Sequence, residues 1–127
     1  MDAVVIIKPD AFERGIAEKL IASLLKKFTL IDVMKLHTEE STKEVWARHY
    51  AEHASKPFYA DLLQAMSNKS VIVLGLDSPK GVKAIRKHCE LLRDLYVDSN
   101  YVGPRNLIHC SDSKKSAEKE AHLWFYQ

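Results

Sequence analysis

The stretch Arg105-Asn106-Leu107-Ile108-His109-Cys110-Ser111-Asp112-Ser113 places a histidine after a short apolar pair and before small, polar residues. An imidazole at the end of a short strand, facing small residues, has a side that a substrate can reach. The next stretch repeats at helical spacing: Ala117, Ala121, Trp124 and Phe125 fall on one face, and Glu120 lies on the same stripe. A carboxylate on a buried face is expensive unless it is paired, and His109 is the partner within reach in sequence. Such a pair fixes the imidazole tautomer, gives the lone pair to the other ring nitrogen, and makes that nitrogen a nucleophile. The ordinary alternative is a structural histidine bonded to a backbone carbonyl, with Glu120 turned to solvent. On residue types alone the ordinary alternative is favoured, because lone histidines are usually structural.

The elements that must position this pair can be read from periodicity. Ala3 to Ile7 is a continuous Val/Ile-rich run, as in a strand buried on both faces. Lys8 stands at its lip, Pro9 stops it, and Asp10 is placed to cap a helix beyond it. A lysine there can point at an anion or simply reach water. Phe12, Ile16, Leu20, Leu24 and Phe28 step along one helix face. Thr29 to Leu36 reads as a strand. Val45, Trp46, His49, Tyr50 and His53 recur at helical spacing. Pro57 breaks that helix, and Phe58, with Leu62 and Leu63, begins another. Val71 to Leu76 is a further apolar strand, and Ser78-Pro79 opens a helix that buries Val82, Ile85, Cys89, Leu92 and Tyr96. Arg86 and Arg93 share a face if that helix is continuous. Aimed into a pocket, they would clamp a transferring phosphate. Otherwise they are solvated. With Leu107-Ile108 starting a fourth strand, the order is βαββαβ. That order predicts an α+β, ferredoxin-like fold, a four-stranded antiparallel sheet with helices on one face.

Composition narrows the class. The 127 residues suit one domain, residues 1–127, with a core of its own. A net charge of +2 is too small to argue for nucleic acid or an acidic membrane. Cys89 and Cys110 have no metal spacing and fit a reducing compartment. Neither a signal peptide nor an apolar run of membrane-spanning length is visible, so a cytoplasmic protein is expected. The glycines are scattered and form no phosphate loop, so phosphate would be bound by side chains. Cys110 beside the histidine would make activity sensitive to oxidation, unless burial renders the thiol inert.

The Asn106-x-x-His109-Cys110-Ser111-Asp112 stretch resembles the active-site signature of nucleoside diphosphate kinases, usually Asn-x-x-His-Gly-Ser-Asp, with Cys110 in place of glycine. Ile7-Lys8-Pro9-Asp10-Ala11-Phe12 with Arg14-Gly15 resembles the family's opening motif. The likeness covers nearly the whole chain. It implies that His109 is the nucleophile, carrying phosphate on its pros nitrogen, with Glu120 orienting it and Ser111 bonding Glu120 or the site edge. It further implies that Lys8, Arg86 and Arg93 neutralise phosphates, with Arg105 as a fallback for Arg93. Asn106 and Tyr50 would line the phosphate end, and Phe58 and Leu62 would hold the base. Stacking there is tolerant of base identity. Mg²⁺ would be held mainly by the nucleotide and not by a protein site.

One departure stands out against the resemblance. The family has a longer segment between its two arginines, where only Lys87 to Leu92 stands here, and Lys56 replaces an arginine. The expected activity is transfer of the γ-phosphoryl group from ATP or another nucleoside triphosphate to a nucleoside diphosphate, by a ping-pong route through His109. The expected assembly is a homo-oligomer, a hexamer, tetramer or dimer. The alternative is a kinase-like nucleotide-binding or interaction module with weak or lost catalysis. A histidine phosphotransfer protein would be a helical bundle, and a nucleic-acid binder of this sheet type would carry aromatic-rich strands that are absent.

Overall fold

A computed structural model describes residues 1–37, 51, 55, 70–98 and 107–126. The helices expected around Val45 to His53 and after Phe58 lie outside the described residues. The elements are numbered here as they occur within them.

Strand β1 (Ala3–Ile7) has all five residues buried. A β-branched run with no polar side chain can be covered on both faces. It therefore sits inside the sheet, between β3 (Ser70–Asp77) and β4 (Ile108–Cys110), with β2 (Thr29–His37) beyond β3. All pairings are antiparallel, giving the order β2-β3-β1-β4. This is the ferredoxin-like sheet expected from βαββαβ. A bulge between Leu30 and Asp32 interrupts the β2–β3 register.

The segment from Phe12 to Phe28 is not one helix. Helix α1 (Pro9–Glu13) ends at Arg14, Gly15 takes φ +69°, and α2 (Ala17–Lys27) starts afresh. A left-handed residue cannot continue a helix, and glycine adopts that conformation without a Cβ penalty. Asp10 does not cap α1. The cap position is Lys8, Pro9 begins the helix, and Asp10 is buried within the first turn. Ser78 and Pro79 form a turn before the next helix. The Gly81 N–H donates to the Ser78 carbonyl at 2.9 Å, and α3 runs from Gly81 to Leu95.

Alternate residues of the sheet feed two cores. Val5, Ile7, Leu74, Leu76, Ile108 and Cys110 pack with Leu20 and Leu24 of α2 and with Ile85, Cys89 and Leu92 of α3. Val4, Ile6, Val71 and Val73 pack with Ala121 and Trp124 of the last helix, α4 (Lys114–Trp124). The helices therefore cover both faces rather than one. The crossover helices α2 and α3 share a face, and α4 lies on the other. Among the described residues, no helix is long and apolar enough to cross a membrane.

Candidate active site

β4 and α4 build the centre of the site. His109 pairs in register with Ile6 of β1, between Ile108 and Cys110, which point into the first core. Strand alternation therefore turns the imidazole to the opposite face, where α4 lies. Ser113 caps α4 by accepting the Ser116 N–H at 3.1 Å. That cap fixes where the helix begins, and Glu120 arrives two turns in. Glu120 Oε1 lies 2.6 Å from His109 Nε2. The two side chains are 12% and 22% exposed, so the contact is partly shielded from water.

The protonation state of the histidine is set by its surroundings. Burial first, then the cations of Lys8, Arg93 and Arg86, hold the His109 pKa down to about 3, against a weaker opposing pull from Asp112. The ring is neutral at pH 7, so the contact with Glu120 is a hydrogen bond donated by Nε2–H to a carboxylate oxygen. In that tautomer the lone pair belongs to Nδ1.

Ser111, fully buried, completes the support. Its Oγ accepts the Val4 N–H at 3.0 Å, and its one hydroxyl proton is shared between Glu120 Oε1 and the Val4 carbonyl, each at 3.3 Å. It thereby joins the central strand to the carboxylate that holds the ring.

The cations come from two other elements. Lys8 ends β1 and is 5% exposed, and its backbone N–H bonds the Leu107 carbonyl at 3.0 Å. Desolvation, helped by Arg93 and opposed by Asp10, lowers its pKa to about 8. Arg86 and Arg93 do share a face of the unbroken α3, and both reach β4. Arg86 Nη1 donates to the Cys110 carbonyl at 3.1 Å, and Arg93 Nε donates to the Ile108 carbonyl at 3.0 Å. Leu107 and Ser111 bond the β1 backbone. By antiparallel alternation the Ile108 and Cys110 carbonyls point away from it. Each arginine spends one N–H on this anchor and has further donors in its fork.

Lys8, Arg86, Arg93, His109, Ser111 and Glu120 are thus brought together. Tyr50, Phe58, Leu62, Arg105 and Asn106 lie outside the described residues. Two carboxylates join them to which residue type and spacing assign no chemistry. Asp112 accepts the Ser116 hydroxyl at 2.6 Å and has a lowered pKa, owing first to that bond. Asp10 is buried at the foot of Lys8 and pulls its pKa back up. In the sequence Asp10 is visible only as a capping candidate, because nothing there says that the first turn of α1 faces inward. The oxidation expected of Cys110 meets a buried thiol. Contact with Cys89 and burial push its pKa far up, which leaves it inert as a thiolate.

An antiparallel sheet that presents a neutral, carboxylate-oriented histidine beside one buried lysine and two half-buried arginines is the arrangement of a phosphotransferase. The chain belongs to the nucleoside diphosphate kinase family, whose model matches residues 2–127. The chain is 33% identical over 130 residues to the nucleoside diphosphate kinase of Rhodococcus erythropolis, covering 96% of this chain and 92% of that one. With the nucleoside diphosphate kinase of Exiguobacterium sibiricum it shares 36% identity over 126 residues, covering 94% and 90%. The crystal structure of the Aquifex aeolicus nucleoside diphosphate kinase superposes with a TM-score of 0.80 at 26% identity, covering 97% and 93%. The activity of the chain is accordingly that of a nucleoside diphosphate kinase, acting on nucleotides.

The family requires a divalent metal and is generally oligomeric. Among the described residues, no group of three His, Cys, Asp or Glu side chains gathers to hold a metal ion. The ligand-facing groups are instead cationic.

Proposed function

We propose that His109 carries the phosphoryl group, on Nδ1, in a two-step exchange. The single observation behind this reading is the 2.6 Å contact between Nε2 and Glu120 Oε1, which assigns the lone pair to Nδ1. In the first step that lone pair forms a bond to the γ-phosphorus while the bond to the bridging oxygen breaks. The nucleoside diphosphate leaves with the electron pair. In the second step a terminal oxygen of another nucleoside diphosphate attacks the same phosphorus, and the P–N bond breaks back onto the ring. No proton has to leave the ring before attack, because its low pKa keeps it neutral. As charge builds on the ring in the phosphorylated state, Glu120 compensates it across the Nε2–H bond, and Ser111 keeps Glu120 in place.

Lys8, Arg86 and Arg93 stabilise the phosphoryl oxygens by fixed positive charge, the main task in phosphoryl transfer. Mg²⁺ carried in on the triphosphate would offset part of the phosphate charge beside Lys8, Arg86 and Arg93. Asn106 and Tyr50 line the phosphate end, Phe58 and Leu62 hold the base, and Arg105 is the alternative to Arg93. The stretch Lys87 to Leu92 stands where the family's longer loop would be. The chain works as one domain, in the cytoplasm, as a homo-oligomer.

The test is incubation with γ-labelled ATP and no acceptor, then a chase with unlabelled GDP. The expected result is acid-labile label on the protein that leaves with GDP, and none on His109→Ala. Turnover by His109→Ala would overturn the mechanism. Absence of label on the folded wild type would favour a nucleotide-binding module without catalysis.

A further inference from the structure

A second cationic concavity lies between α2 and α3, on the face of the sheet opposite the imidazole. It has a volume of about 730 Å³ and is lined by Lys27, Lys80, Lys83 and Lys87, with no carboxylate in its wall among the described residues. That volume is in the range of small-ligand pockets. Phe28, Leu91 and Pro79 give it an apolar side. None of its residues belongs to the histidine site.

Lysine faces are usually solvated, but three features set this one apart. First, Lys80 and Lys83 stand at the cap and in the first turn of α3, where the positive end of the helix dipole disfavours cations, and Lys87 follows one turn on. The first turn carries no acidic residue and no side-chain cap. Like charges four residues apart, as at Lys83 and Lys87, add repulsion. Second, none of the four lysines has an ion-pair partner among the described residues. Third, the wall is fixed and polar. His88 Nε2 bonds Ser23 Oγ at 2.9 Å, the Phe28 ring meets the imidazole edge-on at 5.7 Å, and His88 Nδ1 is buried without a hydrogen-bond partner among the described residues. The first two features cost stability, and a bound polyanion would reverse their sign.

We propose that this groove is a second binding site, for a small organic polyphosphate whose phosphates meet the lysines and whose apolar portion rests on Phe28 and Leu91. A concavity of this volume suits one such molecule. Occupancy would tie the end of α2 to the start of α3, the helix that carries Arg86 and Arg93.

Calorimetric titration with sodium tripolyphosphate tests this, on wild type, on Lys83→Ala/Lys87→Ala and on Lys8→Met. The expected wild-type result is two sites per chain. The double variant should lose one of them, or weaken it at least about ten-fold, with nucleotide exchange at saturating substrate unchanged. Lys8→Met should weaken the other. A single site per chain, or a second site untouched by the double replacement, overturns the proposal. So does saturable binding of a labelled single-stranded oligonucleotide that the double variant abolishes, if tripolyphosphate shows no second site.

Discussion

At the scale of the residue, the site depends on which groups carry charge. Glu120 must be ionised and His109 neutral for the Nε2–H bond to set the tautomer. Glu120→Gln keeps the shape but offers an amide in place of the carboxylate. The expected loss is roughly 10- to 100-fold in kcat, the worth of one hydrogen bond to a charged group. Stopped-flow phosphorylation should show the slowing in the chemical step, with little change in KM. Lys8 supplies a pH signature. Its pKa is lowered to about 8, so the amine is charged below that pH and loses its charge as pH rises through it. Accordingly kcat/KM, which reports the free enzyme, should fall above about pH 8. Arg93 is one cause of the lowering. In Arg93→Met the falling limb should therefore move to higher pH while kcat/KM drops at every pH. A limb that stays in place would remove Lys8 as its source.

At the scale of the element, the site is an agreement among the ends of β1, β4, α3 and α4. Ser111 carries one such agreement, and Ser111→Ala should cost roughly 1–3 kcal/mol, because the buried Val4 N–H loses its acceptor. Urea denaturation reads the loss, and a parallel fall in kcat would show Glu120 loosened with it. Some of this is readable in the sequence. The Val/Ile run of β1 can only be a covered strand, and a carboxylate on the apolar stripe of α4 demands a partner. Other parts are not. Arg14-Gly15 sits in a helical pattern that glycine weakens without forbidding, so the break between α1 and α2 needs the chain's three-dimensional path. Ala117, Ala121 and Trp124 declare a buried face on α4 but not which side of the sheet buries it. The targets of Arg86 and Arg93 are backbone carbonyls. They lack a neighbouring strand only because β4 ends the sheet, which is a property of strand order and not of residue type.

At the scale of the whole molecule, the outer strand on the other side, β2, keeps Leu30, Ile31 and Val33 at 40%, 46% and 52% exposure. Apolar side chains on an edge strand are suited to a second copy of the chain. Val33→Lys, on that strand, should shift the oligomer toward smaller species in sedimentation velocity, without a loss of helix or sheet signal in circular dichroism. An unchanged distribution would place the subunit contact elsewhere.

The sheet thus ends in two unlike margins. On one, guanidinium groups already occupy the carbonyls that an incoming strand would use, while the other is the apolar edge of β2. A body with two adhesive margins can add copies without limit and grow into a fibre. With those two carbonyls taken, strand addition at the other margin would match β2 to β2 about a two-fold axis, which would limit growth along the sheet to a pair. The side chains proposed to receive phosphate would then also limit growth along the sheet.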